Sequence, residues 1–475
     1  MRMTFHRQQR ASLFRLDARA ILAVSASLAG VAQAQDAANS PSRYIQFYGN
    51  VDIGLSYQTH GNAFSPDLPT NVNAFLTKYN GSPRGSVASN GLSFSTIGAR
   101  SSLPLSADLS GLFQLEASFN PASGSIANGP GSIAANNGAA PANYTSFGDS
   151  NKAGQFLNGS AFLGLESKTY GRLTIGRNST LMNDNVCRND ALYCAPAFSY
   201  VGYFGGPAGI GDTEDRFMDG TVKYTGTLGA VRVGALYQAP KLSATSGSGA
   251  LGSAYQLNIG STIGAFSVDA IVARKKDGIF LVSPLSAAQV VGITTPGSAT
   301  YGLPADKTVN GIVSDNTAFG LFGKYDAGAL KLFGGYEHVR QTNPASPLAN
   351  GTETIGGYRI VAINAAFPNP KVTQYFWLGA RYSLNERWDV AGAYYDAEQG
   401  SYRSGTSCSD ASSGQCSGRY SALGLVVDYK LAETGFMKGF DVYSGLTRSS
   451  ASGGVANGYL NTMNLSTMVG IRYVF

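Results

Sequence analysis

Side chains that could carry out catalysis are sparse in this chain of 475 residues, which contains three histidines. His60 and His338 lie far apart in the sequence, and neither stands in a recognisable nucleophile or metal-ligand arrangement. Glycine pairs such as Gly205-Gly206 lack the following Lys-Ser/Thr of a phosphate-binding loop. The sequence therefore predicts no enzyme, no metal site and no cofactor.

Charged side chains suggest another chemistry, which is the sorting of small solutes by charge. Acids cluster with Arg188 in the segment 178–215, at Asp184, Asp190, Asp212, Glu214 and Asp215. Bases fall on the polar side of alternating segments, at Arg100, Lys223, Arg232, Lys324, Arg381 and Arg472. Three acids share that side, Asp52, Glu116 and Asp428. Acids and bases that face each other across water create a transverse field that orients and filters polar solutes.

The elements that must position these side chains are strands with one apolar face. In the segment Met463 to Phe475, the odd positions such as Phe475, Tyr473 and Ile471 are mostly apolar, whereas Arg472 lies on the other face. A strand of about ten residues or more with terminal aromatics suits a tilted membrane crossing of ~9–11 residues. We therefore expect this strand to face lipid on one side.

The same alternation predicts about sixteen strands in the chain. They cover residues 44–57, 92–103, 109–119, 159–167, 172–177, 216–225, 230–238, 251–262, 265–275, 316–325, 330–340, 372–383, 387–398, 419–430, 438–448 and 464–475. Short turns and long loops alternate strictly between them, which is typical of a transmembrane antiparallel up-and-down β-barrel. The charged face must then line the lumen, because a charge on the lipid face at mid-bilayer costs ~2–4 kcal/mol.

Composition supports this all-β membrane class. Charged residues make up 13% of the chain, against ~25% in ordinary globular proteins. Residues 1–34 combine five arginines with a short apolar run and a small-x-small site, which predicts a secretory signal peptide followed by one barrel domain over residues 35–475. Removal of those five arginines and of Asp17 lowers the net charge from +6 to +2, so the composition gives no indication of nucleic-acid binding.

Four cysteines form two closely spaced pairs, Cys187 with Cys194 and Cys408 with Cys416. No histidine lies near either pair, and the chain is predicted to be exported. Both features favour two local disulfides over a metal site.

Several local sequences resemble the general porins of Gram-negative bacteria, in particular the trimeric β-proteobacterial and neisserial kind. The resemblance rests on YGNVDIGL (48–55), LFQLE (112–116), FLGLESKTYGRLTIGR (162–177), LGARYSLNER (378–387) and VGIRYVF (469–475). It implies an outer-membrane homotrimer of sixteen-stranded barrels, surrounded by lipid, that passes ions and small hydrophilic solutes passively without a cofactor. It also implies that the third loop folds inward as a constriction, and that the assembly machinery reads Phe475 and Tyr473.

The chain departs from the family pattern in its first short turn, where Ser101 to Ser106 lacks the usual acidic pair. This departure leaves the preferred solute open, and the mixed wall charges indicate only a slight preference for anions. Two alternatives to a general porin also stay open, a substrate-specific channel and a water-soluble or surface-attached β-rich adhesin.

Overall fold

Sixteen long strands close into one antiparallel barrel. The architecture comes from a computed structural model that describes residues 45–64, 68, 70–77, 80–126, 156–202, 216–240, 253–348, 354–355, 358–402, 416–432 and 439–475. The predicted all-β barrel, with its alternation of short turns and long loops, is confirmed. Among the described residues, no helix is both long enough and apolar enough to cross a membrane.

Among the described residues, the sheet contains nineteen strands because three short ones accompany the barrel strands. In chain order they are β1 (Ile45–Gln58), β2 (Arg84–Ser89), β3 (Ser95–Pro104), β4 (Leu109–Phe119), β5 (Ala161–Ser167), β6 (Gly171–Ser179), β7 (Phe217–Leu228), β8 (Val231–Gln238), β9 (Ala254–Ile263), β10 (Phe266–Pro284), β11 (Thr308–Ala327), β12 (Leu330–Thr342), β13 (Thr354–Ile355), β14 (Tyr358–Ile363), β15 (Lys371–Ser383), β16 (Trp388–Gln399), β17 (Gly418–Lys430), β18 (Phe440–Gly453) and β19 (Met463–Val474). Strands β2, β13 and β14 are the short additions, and the other sixteen form the barrel.

The last strand closes the barrel by pairing with the first. Strands β1 and β19 run antiparallel, with Asp52 opposite Arg472 and Gly54 opposite Gly470. This pairing leaves no free sheet edge between the chain's two ends, and hydrocarbon would not tolerate such an edge.

Alternate residues of each strand face opposite sides of the wall. In β1, Leu55 and Tyr57 are 68% and 52% exposed, whereas Asp52, Ser56 and Gln58 are buried. Because a buried polar face must line the interior and an exposed apolar face must meet lipid, the strand parity inferred from the sequence is confirmed.

Aromatic pairs stand on the outer face near the short turns. Ring centroids lie 4.5 Å apart in Phe266–Tyr325 and in Trp388–Tyr429, and 4.2 Å apart in Phe440–Tyr473. Amphipathic rings at this level form the interfacial girdle of a membrane barrel.

Three of the short turns are two-residue Gly-Ala connections. Their glycines, Gly229, Gly264 and Gly328, have φ angles of 62°, 61° and 75°. Backbone in this left-handed region favours glycine because a Cβ atom is strained there. The sequence thereby sets the tight ends of three hairpins.

The connection between β10 and β11 differs from the prediction, which ended one strand at residue 275, began the next at 316 and left a loop between them. Strands β10 and β11 continue as a ladder up to the pair Pro284 and Val309, and β14 adds to β11 in parallel, with Val309 opposite Ile360. This extension buries a cluster of Ile279, Val309, Val313, Leu348 and Ile360. The prediction was wrong because these apolar residues pack within the extension rather than against the barrel.

Candidate functional site: the lumen and its inward-folded loops

The third long loop begins as a helix inside the barrel. Helix α1 spans Leu181–Arg188, and the side chain of its N-cap, Thr180, accepts a hydrogen bond from the Asn183 backbone N–H. The Met182 backbone N–H donates to Gln256 Oε1 of β9 at 3.1 Å, and the side chains of Leu181, Met182 and Val186 are buried. The cap and the buried face together fix the helix against the inner wall.

A disulfide joins Cys187, in the last turn of this helix, to Cys194 in the chain that follows it, as predicted. Residues Tyr193 and Cys194 adopt φ angles of 50° and 58°, so the chain turns sharply inside the closed segment. Cys416 is also disulfide-bonded, and its predicted partner Cys408 lies outside the described residues.

Both within and after the disulfide-closed segment, the loop contacts the wall of strands β15 to β18. Trp377 Nε1 donates to the Asn189 carbonyl at 2.9 Å, and the Tyr395 hydroxyl donates to Asp190 Oδ1 at 2.6 Å. The Thr447 hydroxyl donates to the Ala197 carbonyl at 2.7 Å. These bonds from three strands satisfy polar groups of the loop that have no access to water, and so hold it inside the barrel.

Aromatic rings complete this attachment. Phe198 meets Tyr443 edge-on at 6.0 Å between ring centroids, and Tyr200 stacks on Tyr420 at 4.7 Å. Tyr200 also contacts Phe75, which belongs to the first long loop, at 5.8 Å. Two loops therefore meet inside the lumen.

The acids predicted in the third loop occupy unlike environments. Asp184 lies on α1 and accepts a hydrogen bond from Lys223 Nζ of the wall at 2.5 Å. Asp190 is 0% exposed, and burial raises the pKa of its carboxyl, while hydrogen bonds from Tyr395 and the Cys194 backbone N–H counteract that rise. Asp212, Glu214 and Asp215 lie outside the described residues.

Five of the six predicted wall bases, Lys223, Arg232, Lys324, Arg381 and Arg472, share the strand parity of the buried residues. Arg100 is exposed, and the buried residues of its strand, Ser95 and Gly98, fall on both parities. The Arg232 guanidinium lies 3.0 Å from the buried Asp269 carboxylate, and that of Arg381 lies 4.3 Å from the ring centroid of Tyr193 in the third loop. Arg100 Nε donates to Gln46 Oε1 at 3.0 Å. Lys223 thus contacts an acid of the loop and Arg381 contacts a loop ring, whereas Arg100 and Arg232 pair within the wall.

Two bases stand near the short-turn end of the barrel. Arg472 donates to Asp441 Oδ2 from Nε at 2.9 Å, and its Nη2 lies 3.8 Å from Asp428. Lys324 points inward three residues before the end of β11. The Arg472 group therefore combines one base with two acids at the closing seam.

The predicted wall acids are held by specific donors. Asp52 accepts from the Leu92 and Ser93 backbone N–H groups at 2.8 and 2.9 Å and from the Tyr443 hydroxyl at 2.6 Å. Glu116 accepts from the Tyr48 hydroxyl at 2.9 Å. Asp52 thereby fixes the chain that leads into β3, a structural role alongside any effect on solutes.

A polar cavity of about 380 Å³ lies between α1 and the wall of strands β5 to β9. Its ionisable lining consists of the bases Lys168, Arg172, Arg188 and Arg232 and the acids Glu166 and Asp184. Bases outnumber acids in this lining. The side chain of Arg188 is 48% exposed, and its Nη1 lies 3.9 Å from the buried Asp269 carboxylate that also pairs with Arg232. The cavity can therefore attract an anionic solute. No group of three or more potential metal ligands was found among the described residues.

Comparison with known proteins decides the class of this site. Residues 20–454 match the family of Gram-negative porins. The chain belongs to that family. No curated protein matches the sequence.

Solved structures share the porin's fold at low sequence identity. An anion-selective porin from Comamonas acidovorans is 14% identical, with a TM-score of 0.55, over 91% of this chain and 99% of the other. OmpT, an outer membrane protein of Vibrio cholerae, is 15% identical in its in-vitro folded form, with a TM-score of 0.53, over 91% of this chain and 97% of the other. A trimer form of OmpT is 16% identical, with a TM-score of 0.53, over 91% and 99% of the two chains.

Family and fold establish that this porin is an outer-membrane channel for the passive diffusion of solutes. In such barrels the short turns face the periplasm and the long loops face outward. The cavity beside α1, which is lined by the turn residues Lys168 and Thr169, therefore extends to the periplasmic end.

Sequence reasoning missed the aromatic residues that hold the porin's inner loops. Trp377, Tyr395, Tyr420 and Tyr443 are all buried on the lumen parity of their strands. A signal was present, because a large aromatic residue on the polar side of a strand needs an apolar partner inside the barrel. Residues of the first long loop form part of this apolar partner. Nothing in the sequence of that loop indicated that it would fold into the barrel.

Proposed function

We propose that the porin passes small hydrophilic solutes and ions along the side of the lumen next to strands β5 to β9, with a preference for anions. The observation that carries this proposal is the cavity beside α1, where four bases stand against two acids. The third loop forms the other boundary of this passage, so it acts as the constriction. Lys223 and Asp184 link the loop to the wall and fix the width there.

The assignment of bases and acids follows from this path. We propose that Arg188 and Arg232 act directly on solutes at the cavity, together with Arg172, which the sequence analysis did not single out. Arg100, Lys324, Arg381 and Arg472, with Asp52, Glu116 and Asp428, set the wider field of the lumen. Asp190 serves the constriction by holding the loop in place, since it is fully buried.

Assembly and processing complete the proposal. The porin forms a homotrimer in outer-membrane lipid after removal of residues 1–34, and it works without catalysis or a cofactor. Phe475 is 51% exposed and stacks on Tyr473 at 5.7 Å. This exposed aromatic pair supports recognition of the chain's end by the assembly machinery. A trimer form of the similar OmpT supports the oligomeric state.

Reversal potentials in planar bilayers test the anion preference. We expect stepwise channels and, for Arg188→Gln, a roughly four-fold fall in the anion-to-cation permeability ratio, because loss of a unit charge ~10 Å away in water shifts the energies of an anion and a cation by ~0.4 kcal/mol each, in opposite directions. Arg419→Gln is the matched control, since Arg419 is exposed, pairs with Asp396 and lies on the outward parity of β17.

Three outcomes would contradict parts of this proposal. Unchanged permeability in Arg188→Gln would show that the passage lies elsewhere. Block of conductance by a single solute at saturating concentration would favour the substrate-specific channel. A folded protein that stays soluble without detergent and forms no channels would favour the adhesin.

A further inference from the structure

We infer that residues 70–77 of the first long loop form a second constriction element, which closes the lumen beside strands β17 to β19 and so sets the size limit of the porin. This inference rests on the proposed passage along β5 to β9. We call residues 70–77 the inner segment. No feature of the sequence distinguishes this stretch from an ordinary surface loop.

Hydrogen bonds tie the inner segment to the inner wall. The Leu76 backbone N–H donates to Ser449 Oγ of β18 at 2.8 Å, and the Tyr420 hydroxyl of β17 donates to the Leu76 carbonyl at 3.0 Å. Asn464 Nδ2 of β19 donates to the Ala74 carbonyl at 3.2 Å. Three neighbouring strands therefore hold the backbone at Ala74 and Leu76 against the wall, where a surface loop would have water as its partner.

The apolar side chains of the inner segment are excluded from water. Val72, Ala74, Phe75 and Leu76 are between 0% and 4% exposed. They belong to the same apolar cluster as the third-loop residues Phe198 and Tyr200. Burying side chains of this size contributes ~1.5–3 kcal/mol for each large one, so withdrawal of the segment into a water-filled lumen or into solvent is unfavourable.

Both ends of the inner segment are fixed as well. On one side, the Ser89 backbone N–H donates to the Thr70 carbonyl at 3.2 Å, which attaches the segment to β2. On the other, the Thr77 backbone N–H donates to Asn80 Oδ1 at 2.9 Å, and Asn461 Nδ2 donates to the Asn80 carbonyl at 2.6 Å. The segment is therefore a fixed part of the lumen and not a lid that swings over it.

The connection of residues 285–307 shows what a loop outside the lumen looks like in this protein. It contains helix α2 (Ala287–Gly292), and its side chains Val291 and Tyr301 are 67% and 56% exposed. Phe75, by contrast, is 0% exposed. This difference gives a matched pair of loop segments for an experiment.

Together the third loop and the inner segment fill the side of the lumen next to strands β15 to β19, where they are anchored. Phe75 touches Tyr200, and Tyr200 stacks on Tyr420, so the inner segment, the third loop and the wall form one packed body. Water and solute are left with the opposite side, where α1 and the wall enclose the polar cavity. Removing the inner segment should therefore widen the passage without touching the bases that select for charge.

Deletion of Val72–Leu76 tests the inference, with deletion of Thr294–Ser298, of equal length, as the control. We expect single-channel conductance to rise roughly 1.5-fold or more in the first variant, because conductance follows the open cross-section of the pore. Larger sugars should also enter liposomes that contain it. The control deletion should match the wild type in both measurements.

Circular dichroism and the unfolding temperature in detergent show which variants are folded. If the first deletion does not fold, Phe75→Ala replaces it, with Phe64→Ala as its control, since Phe64 lies in the same loop and is 44% exposed. Wild-type conductance and sugar exclusion in a folded inner-segment variant would overturn the inference while leaving the porin function intact. Absence of channels from the wild type would instead overturn the proposed passage.

Discussion

The two sides of the lumen are built from different side chains. Beside strands β15 to β18 the inner wall presents buried aromatic rings, such as Trp377 and Tyr395, that bond to carbonyl and carboxylate oxygens of the third loop. Beside strands β5 to β9 it presents bases such as Arg172 and Arg232 to a cavity. The first side holds the loops, and the second is left to water and solute.

This difference teaches how a barrel of regular strands obtains a narrow, off-centre passage. A loop in a wide lumen keeps its position only if its buried polar groups find partners and its apolar groups find a surface. Aromatic side chains with a polar tip supply both at once. Charged side chains are less suited to holding a loop in this way, because burial of an unpaired charge costs free energy. Anchoring and selection are therefore divided between opposite walls.

The largest effect on stability is expected from Trp377→Ala, which removes an aromatic anchor of the third loop. The ring is 0% exposed, its Nε1 donates to the Asn189 carbonyl, and it contacts Phe322 at 5.6 Å between centroids. Removal should cost ~3–5 kcal/mol of unfolding free energy, measured by denaturant titration in detergent. Conductance should become noisy as the third loop loosens.

Trp388→Ala is the matched control, since Trp388 is 41% exposed on the outer face and packs against the Tyr429 ring. We expect it to cost less than half as much and to leave conductance steady. Equal losses in the two variants would mean that the aromatic residues of the inner wall have no special part in holding the loop.

The sequence was sufficient for the barrel because strand alternation is a local property. The parity read from Phe475, Tyr473 and Arg472 holds in β1, β17 and β19. The alternation of short turns and long loops gave the order of the strands, and the pairing of β1 with β19 follows from closure.

The loops could not be predicted in the same way, because their positions depend on partners that are distant in the sequence. Leu76 meets Ser449 and Tyr420, more than three hundred residues away. Asp190 was predicted as a pore acid from its place in the strand order, yet it is buried beneath Tyr395. Only the inward aromatic residues could have indicated which wall the loops occupy.

The disulfide sharpens the comparison because it lies between the two sides. Cys187 lies in the last turn of the helix that borders the cavity, and Cys194 precedes the packed residues Ala195 and Phe198. Replacing both cysteines with serine should cost about 2.5 kcal/mol by the chain-entropy estimate for so short a loop. The charge selectivity should become less well defined while the loop stays anchored.

Denaturant titration and reversal potentials measure these two changes. The wild type under reducing conditions is a companion measurement, and because reduction also breaks the disulfide of Cys416, the double variant is measured under reducing conditions as well. Unchanged stability and unchanged selectivity in the double variant would show that helix α1 keeps its place by packing alone.

The smallest effect concerns two acids whose pKa values move in opposite directions. Burial raises the pKa of Asp190, so the folded loop binds its proton more tightly than the unfolded chain does, and stability falls as pH rises from ~4 through the folded pKa. The Ser167 hydroxyl lowers the pKa of Asp108 in a periplasmic turn, so its contribution is present above ~4 and is lost as pH falls through its folded pKa. Asp190→Asn should flatten the first slope and Asp108→Asn the second, in unfolding titrations between about pH 3 and 7. If Asp190→Asn left the stability profile unchanged on the neutral side, the carboxyl would be hydrated in solution, and the anchored wall would be as open to water as the wall that faces the cavity.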